Sequence, residues 1–348
     1  MKKNFFDKLL KNNDIDTKII VEVSGNHQGT YRKLKELINC TINQKVDAVK
    51  FQVYTADTIS LKSKNRDFFI NSQKKWKGIK SRYEIYEKAH TPWDWIEKLS
   101  KNLNKNNIPW FASPFDDTAL NFLEDINCPA YKIASPEIND LNLIENVANK
   151  KKPIIISTGM ASLKDLDVAV QIIRKKHNKI AILKCTSSYP AEYENLNLNL
   201  IKYLQKRYSC TVGYSDHSIG QLASIVATSL GAKIIEKHFK LDNDIASIDS
   251  HFSMDISEYS NFKNNITLIA KMIGNKINFP KIIPRKLKNE RRSLYVIENI
   301  KKGQKFTNKN IKSIRPGMSL SPIYLKKFLG RLSKKNIKCG SRLSLKFI

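Results

Sequence analysis

The chain has 348 residues, of which 41% are hydrophobic, which suits one large domain with a small one or two medium domains. Its formal net charge is +29, but the basic residues are mostly lysines spread along the whole chain, which makes nucleic-acid binding a minor hypothesis. Five scattered cysteines without a C-x-x-C pair disfavour a structural zinc site or a disulfide framework. Without a signal-length or membrane-spanning apolar run, we expect a cytoplasmic protein that contacts no membrane.

Short apolar runs alternate with helical patterns through the first 275 residues. Strands are predicted at 18–24, 46–53, 108–112, 130–134, 153–156, 180–184, 210–214 and 233–235. Helices are predicted at 31–45, 93–107, 117–126, 141–150, 163–177, 198–208, 219–231 and 257–273. Eight strand–helix repeats of this length predict an α/β fold, a TIM-type (β/α)8 barrel.

Four segments lie outside these strand–helix repeats. Residues 1–17 are a loose lead-in or a short helix, and 54–88 form an expanded loop without a clear strand. We place the barrel domain at 1–275, a linker rich in Pro, Lys and Arg at 276–290, and a small β-rich domain at 291–348. That last domain has β-like runs at 293–297, 311–314 and 342–347.

Two histidines, His217 and His238, follow the last two predicted strands. Active sites of parallel barrels lie at the carboxyl ends of the strands. Two imidazoles there suit a borderline divalent metal such as Mn, Fe or Zn. Two hydrogen-bonded histidines at a barrel rim are the alternative, which the sequence leaves open.

Buried cations and hydroxyls mark the other strand ends. Lys50 and Lys132 lie inside apolar strands, where lysine is rarely buried without a partner. Serines stand at or near the strand exits, at Ser113, Ser135, Ser157, Ser187 and Ser215. Together these residues predict a pocket for a phosphate or carboxylate, although each serine alone fits a turn or a helix cap.

Carboxylates add to the same rim at Glu22, Glu137 and Glu236. Near cations, a carboxylate can act as a general base or orient a sugar hydroxyl. Lys184 and Lys237 could equally be lysines that face the core and pair with those acids, and the sequence does not separate these roles.

Eight segments in order resemble the sialic acid synthase family, which condenses phosphoenolpyruvate (PEP) with an amino sugar to make a nine-carbon 2-keto acid. They span about 19–249 and read V-E-V-S-G-N-H-Q-G, D-A-V-K-F-Q, A-S-P-F-D, Y-K-I-A-S-P-E, S-T-G-M-A, L-K-C-T-S-S-Y-P, G-Y-S-D-H-S-I-G and I-E-K-H-F. The tail, with R-S-L-Y, I-K-K-G and S-I-R-P-G, resembles that family's antifreeze-like (SAF) domain.

The resemblance implies roles for these residues. His217 and His238 would hold a divalent metal, Mn or Mg, that polarises the sugar aldehyde. Glu22 would be the acid/base for the water that adds to the PEP-derived carbon. PEP would be held by Lys50, Ser113, Lys132, Ser135, Ser157, Ser187 and Ser215, with Ser187 the least secure because some relatives have Asn there. Sugar and metal would be surrounded by Glu236, Gln52, Glu137, Tyr189 and Asp249, and by Arg315 from the tail of a partner subunit in a domain-swapped homodimer.

One stretch differs from the pattern of sialic acid synthases and indicates which sugar is used. Sialic acid synthases proper tend to carry a G-P-D-H-type stretch after E-K-H-F, whereas this chain has S-I-D-S-H-F-S at 247–253. With the aromatic region 76–95, that stretch is more similar to the pseudaminic acid synthase branch, whose sugar is 2,4-diacetamido-2,4,6-trideoxy-L-altrose. The alternatives are N-acetylneuraminate or legionaminic acid synthesis from a mannose-configured N-acyl sugar.

Two alternative functions do not involve the condensation of PEP with a sugar. One is a non-catalytic saccharide-binding barrel, against which the intact set of acids, lysines and histidines argues. The other is a class I aldolase that uses Lys132 or Lys184 as a Schiff base, against which the resemblance argues.

Overall fold

The computed structural model of the protein describes residues 2–10, 16–70, 78–274 and 283–348. The chain divides into two units, Met1–Asn275 and Lys276–Ile348. Part of the predicted loop, including Trp76, lies outside the described residues, as does most of the first half of the predicted linker. Within the described ranges, no helix is long and apolar enough to cross a membrane.

Eight parallel strands form a closed barrel in the first unit, which confirms the predicted fold. They are β1 Lys18–Glu22, β2 Ala48–Val53, β3 Trp110–Pro114, β4 Tyr131–Ile133, β5 Ile154–Ser157, β6 Ile180–Cys185, β7 Thr211–Asp216 and β8 Ile234–Lys240. Each strand pairs with the next, and β1 also pairs with β8 to close the barrel. The strands are apolar and buried because helices cover the outside while side chains fill the interior.

Five strands, β3 and β5 to β8, reach further toward their carboxyl ends than the apolar runs predict, whereas β1 and β4 end one or two residues earlier. The structure extends β7 to Asp216 and β8 to Lys240, beyond predicted ends at 214 and 235. Polar side chains there do not end the strands, because the backbone ladder continues with neighbouring strands. A two-residue strand, β9 Met254–Asp255, pairs with the end of β8.

The predicted helices all occur, with ends shifted by up to three residues. They are α2 Tyr31–Asn43, α5 Trp93–Lys105, α6 Asp117–Asp125, α7 Leu141–Asn149, α8 Leu163–Lys176, α9 Leu200–Tyr208, α10 Leu222–Ser229 and α11 Tyr259–Ile273. Helix α1, Lys2–Leu9, resolves the lead-in as a helix. Its Phe6 contacts Phe111 of β3, and Thr211 at the start of β7 donates to Leu9 O. Helix α1 therefore covers the amino ends of the strands, opposite the predicted site.

The prediction of a plain loop over 54–88 was wrong in part. In the described part of this segment the structure has two α-helices, α3 Ala56–Ile59 and α4 Arg82–Ala89, and a short 3-10 helix at Arg66–Phe68. Ser81 caps the start of helix α4, because its hydroxyl accepts a hydrogen bond from Glu84 N. Within α4 only Ala89 is buried, so the sequence shows no apolar stripe by which helical periodicity is detected.

The second unit is a small β-containing fold with its own core. Strands β10 Ser293–Val296 and β11 Ile311–Ile314 are antiparallel, as two of the predicted β-like runs require. The core is formed by Leu294, Val296, Ile300, Phe306, Ile311, Phe328, Ile337 and Leu343. Short helices are α12 Arg285–Lys288 and α13 Leu325–Phe328, so the predicted linker contains a helical turn.

The predicted third run, 342–347, was wrong as a strand. Arg342 makes a single bridge to Tyr295, and a 3-10 helix follows at Leu345–Phe347. The hydroxyl of Ser344 accepts from Lys346 N. This local hydrogen bond favours a turn over continued pairing.

Candidate active site

Register places polar side chains side by side at the carboxyl end of the barrel. Glu22 ends β1 and lies beside Lys50 of β2 on one side and His238 of β8 on the other. Ser215 of β7 lies beside Glu236 of β8. Because alternate residues of a barrel strand point inward, these side chains meet inside the barrel mouth.

Two lysines and two glutamates form a buried ion-pair cluster there. Lys50 pairs with Glu22 and also lies 3.2 Å from Glu236 Oε1, while Lys132 Nζ lies 3.2 Å from the same oxygen. Ser215 Oγ donates to that oxygen at 3.3 Å. All four charged residues are at most 3% exposed. Two cations and two anions balance, which makes their burial tolerable.

The cluster sets the protonation of its members. Burial opposes the charge of Glu236, but Lys132 and Lys50 outweigh it and lower the pKa of Glu236 to about 2. Burial, with the like charge of Glu236, raises the pKa of Glu22 despite Lys50. The two carboxyl groups thus differ, since Glu236 is held ionised and Glu22 is better able to take up a proton, as an acid/base group must be.

A cradle of hydroxyls lies around Gly159, in the turn after β5. Gly159 N donates to Ser135 Oγ at 3.0 Å. A Cβ at Gly159 would lie 2.2 Å from Ser187 Oγ and 2.8 Å from Ser135 Oγ, so only glycine leaves this space open. Of the buried hydroxyl oxygens that have no hydrogen-bond partner in the described part of the chain, three belong to the predicted PEP-binding serines: Ser113, Ser157 and Ser187. Unpartnered buried donors are costly, and an anion with several oxygens would satisfy them.

The two predicted histidines are brought together. Their ring centroids are 5.4 Å apart, close enough for one ion to contact both. His217 Nδ1 bonds to Thr186 O at 3.0 Å, whereas His238 Nδ1 has no hydrogen-bond partner within the described ranges. Burial and the charge of His217 lower the pKa of His238 well below its usual value, which keeps it in the neutral form that ligates metals.

The donor set fits a metal held by few protein ligands. Among the described residues, no group of three or more His, Cys, Asp or Glu side chains is arranged to hold an ion. Asp249 Oδ2 lies 3.8 Å from His238 Nδ1. Two imidazoles would leave coordination positions for water or substrate oxygens, as in catalytic rather than structural sites.

Phe252 and Cys185 border the histidines and were not anticipated from the sequence. The Phe252 ring lies 4.8 Å from His238 and 5.2 Å from the predicted sugar-binding Tyr189, between centroids. Tyr189 itself lies 4.3 Å from His217, and Cys185 Sγ lies 3.9 Å from His217 Nδ1. The only available signal for Phe252 was its position in the unusual stretch 247–253.

The remaining predicted residues are less tightly grouped. Gln52 is half-buried beside Ser113 in the β2–β3 register. Glu137 lies in a 3-10 turn after β4, and burial raises its pKa to about 7. Arg315 belongs to the second unit, where its exposed guanidinium lies 3.4 Å from Glu290. Its role in a partner's site stays a prediction.

The two other lysines do not pair with the rim glutamates. Lys237 lies 3.0 Å from Asp216 Oδ2 in a separate buried pair, and Asp216 also accepts from Ser218 and Ser224. Lys184 donates to Cys185 O and Thr186 Oγ1. Both are engaged next to the site rather than with Glu22 or Glu236.

The fold and the cluster define the class of this protein. It is an enzyme built on a closed (β/α)8 barrel, with charged side chains at the carboxyl ends of the strands and a second, small β-containing unit. The chain belongs to the NeuB family, whose model matches residues 37–278, and a SAF domain model matches 291–346. It is therefore a transferase, and the resemblance seen in the sequence is confirmed.

Relatives of this chain include synthases of several nine-carbon sugar acids. The pseudaminic acid synthase of Helicobacter pylori is 40% identical over 94% of this chain and 96% of its own length. The N,N'-diacetyllegionaminic acid synthase of Campylobacter jejuni is 32% identical over 92% and 97%. A crystal structure of the N-acetylneuraminic acid synthetase of Leptospira borgpetersenii in complex with citrate has a TM-score of 0.70 and 30% identity, covering 80% of this chain and 90% of that chain.

Proposed function

We propose that this protein condenses PEP with 2,4-diacetamido-2,4,6-trideoxy-L-altrose to give pseudaminic acid and phosphate. The observation that carries the PEP half is the pair of buried ammonium groups, Lys50 and Lys132, at a barrel mouth with three buried hydroxyls that lack partners among the described residues. A carboxylate and a phosphate on one small substrate would satisfy both sets. The higher identity to a pseudaminic than to a legionaminic acid synthase supports the choice of sugar.

The chemistry balances with water as the third reactant. PEP C3 forms a bond to the aldehyde carbon of the open-chain sugar, water adds at PEP C2, and the C2–O bond to phosphate breaks. The products are a nine-carbon 2-keto acid and inorganic phosphate, with no covalent bond to the enzyme. Lys50, Lys132 and the serines hold PEP, and Glu22, with its raised pKa, accepts the proton of the attacking water.

Glu236 acts as a fixed negative charge in this scheme. With its pKa of about 2, it stays ionised at every working pH, helps Glu22 to raise the pKa of Lys50 against the effect of burial, and lies 3.2 Å from both lysine ammonium groups. Gln52, Glu137, Tyr189 and Asp249 then lie around the mouth as sugar contacts.

His217 and His238 would hold a divalent ion, Mn or Mg. When bound, the ion supplies Lewis-acid polarisation of the sugar carbonyl. The protein's own part is to keep the His238 imidazole neutral and to hold both buried rings in place, His217 beside Tyr189 and His238 beside Phe252.

The sugar specificity is proposed to come from the loop after β8. Its stretch 247–253 supplies Asp249 near His238, His251 near Tyr189 O at 3.3 Å and Phe252 against the His238 ring. The apolar Phe252 ring, beside Tyr189 and His238, suits a 6-deoxy sugar better than one with a 6-hydroxyl, which would lose hydrogen bonds on burial.

Phosphate release from PEP with Mn tests the proposal on three sugars. The altrose is compared with N-acetylmannosamine and with 2,4-diacetamido-2,4,6-trideoxy-mannose. Turnover of the altrose alone is expected. Preference for a mannose-configured sugar would overturn the choice of branch, and saccharide binding without turnover of any sugar would favour the non-catalytic barrel.

We also propose a cytoplasmic, domain-swapped homodimer in which Arg315 of one subunit completes the partner's site by binding the sugar's N-acyl group. The Glu22→Gln and Arg315→Ala variants, which should each be inactive alone, are mixed, unfolded together and then refolded. If Arg315 acts across subunits, the mixed dimer has one intact site and activity returns. No recovery in a mixture shown to contain mixed dimers would contradict the exchange.

A further inference from the structure

Ser24 follows β1 in an unusual backbone conformation. Its φ is +41°, in the left-handed region that favours glycine. The residue is 5% exposed, so solvent contacts do not explain a serine there. A side chain kept at such a position needs a compensating interaction.

Ser24 contacts two carboxylates that come from opposite ends of the barrel sequence. Its backbone N–H donates to Glu22 Oε1 at 2.9 Å. Its hydroxyl donates to Asp249 Oδ2, in the loop after β8, and Gly25 N donates to the same oxygen at 3.4 Å. One residue therefore ties the predicted acid/base to a predicted sugar contact, across the seam where β1 and β8 close the barrel.

Other bonds hold the two loops together without Ser24. Asn26 Nδ2 donates to Ser253 Oγ at 2.8 Å, and Gln28 Nε2 donates to Asp244 Oδ1 at 2.7 Å. The loop after β1 would thus stay attached if the Ser24 hydroxyl were removed. What would change is the position of the Asp249 carboxylate relative to Glu22 and His238.

We propose that Ser24 is a positioning residue for the condensation, acting by fixing the Asp249 carboxylate beside Glu22 in the orientation that receives the sugar. The proposal rests on the proposed function. The hydroxyl occupies one Asp249 oxygen and so leaves the other free to accept a bond from a sugar hydroxyl or amide. PEP, held on the other side by Lys50 and Lys132, is not affected.

The test compares Ser24→Gly with Gln28→Gly. Gln28 is a matched control because it also has a positive φ, of +51°, and also donates to a carboxylate of the loop after β8, yet that carboxylate, Asp244, belongs to no predicted contact. Glycine relieves the positive φ at both positions and so offsets part of the stability lost with each side-chain hydrogen bond, and the two variants should therefore lose similar and small amounts of thermal stability. Steady-state phosphate release is measured with each substrate varied in turn.

We expect Ser24→Gly to lower kcat/KM for the sugar roughly 10- to 100-fold, as for a lost hydrogen bond to a charged group, with KM for PEP unchanged. Gln28→Gly should stay within about twofold of the wild type, because surface changes away from the site have small effects. Ser24→Ala, which keeps the strained backbone but lacks the hydroxyl, should show the same kinetic loss with a lower melting midpoint.

Sugar kcat/KM within twofold of the wild type for Ser24→Gly would overturn the inference. So would equal losses in Ser24→Gly and Gln28→Gly, since these would reflect loop attachment in general. Failure of the proposed function is distinct, because then the wild type itself releases no phosphate with any of the three sugars, and the inference falls with it. If the wild type prefers another of the sugars, the same comparison is made on that sugar.

Discussion

Replacing Lys132 with methionine separates the role of the buried cluster in stability from its role in binding. Methionine keeps most of the aliphatic stem and removes the ammonium group that lies 3.2 Å from Glu236. Breaking a buried ion pair costs about 3 to 5 kcal/mol. Glu236 keeps Lys50 at 3.2 Å, so we expect a loss near the lower end of that range.

Lys237→Met is the matched control, because it breaks the other buried lysine–carboxylate pair, with Asp216 at 3.0 Å. Lys237 is 1% exposed and Lys132 2%. Asp216 keeps the hydroxyl donors of Ser218 and Ser224. Both variants should therefore lose stability to a similar extent in the absence of substrate, by about 3 kcal/mol each.

PEP should distinguish the two variants. A ligand at 100 times its Kd stabilises the native state by about 2.7 kcal/mol, which thermal unfolding followed by circular dichroism detects as a rise in the midpoint. The wild type and Lys237→Met should show this rise, and Lys132→Met should show little or none. A rise in Lys132→Met equal to that of the wild type would refute the assignment of Lys132 to the anion site.

Three further results are expected. Chelation should abolish phosphate release and Mn restore it in the wild type, while His217→Ala and His238→Ala stay inactive with Mn; full activity of both variants after chelation would exclude the metal assignment. Burial raises the pKa of Glu137 to about 7, above its unfolded value of 4.5, so the native state binds a proton more tightly than the unfolded state does. The contribution of Glu137 to the free energy of unfolding is therefore complete below about pH 4.5 and falls by about 3 kcal/mol as the pH rises through 7. Glu137→Gln should flatten that fall in denaturation curves taken from pH 5 to 8, and an unchanged slope would contradict it. Phe6→Ala should cost about 3 to 5 kcal/mol while KM for PEP stays constant, because Phe6 packs on Phe111 at the opposite end of the barrel; a large change in KM would contradict that separation.

Local patterns were sufficient for the repeating part of the fold. Every predicted barrel strand and flanking helix occurs, because each must bury an apolar run or stripe against the same sheet. Helix α4 was missed because it buries only Ala89, and the run 342–347 because a serine-capped turn won over pairing. Where burial is slight or local hydrogen bonds compete, periodicity carries little information.

The sequence by itself determined the eight-fold repeat, the polar residues at its strand ends and, through eight motifs, the family. The tertiary structure decided which of those residues meet. Lys132 finds Glu236 across 104 positions, Ser24 finds Asp249 across 225, and Phe252 comes to lie against His238. Such contacts follow from barrel closure and loop conformation, which depend on the packing of the whole chain rather than on neighbouring residues, so local composition could not reveal them.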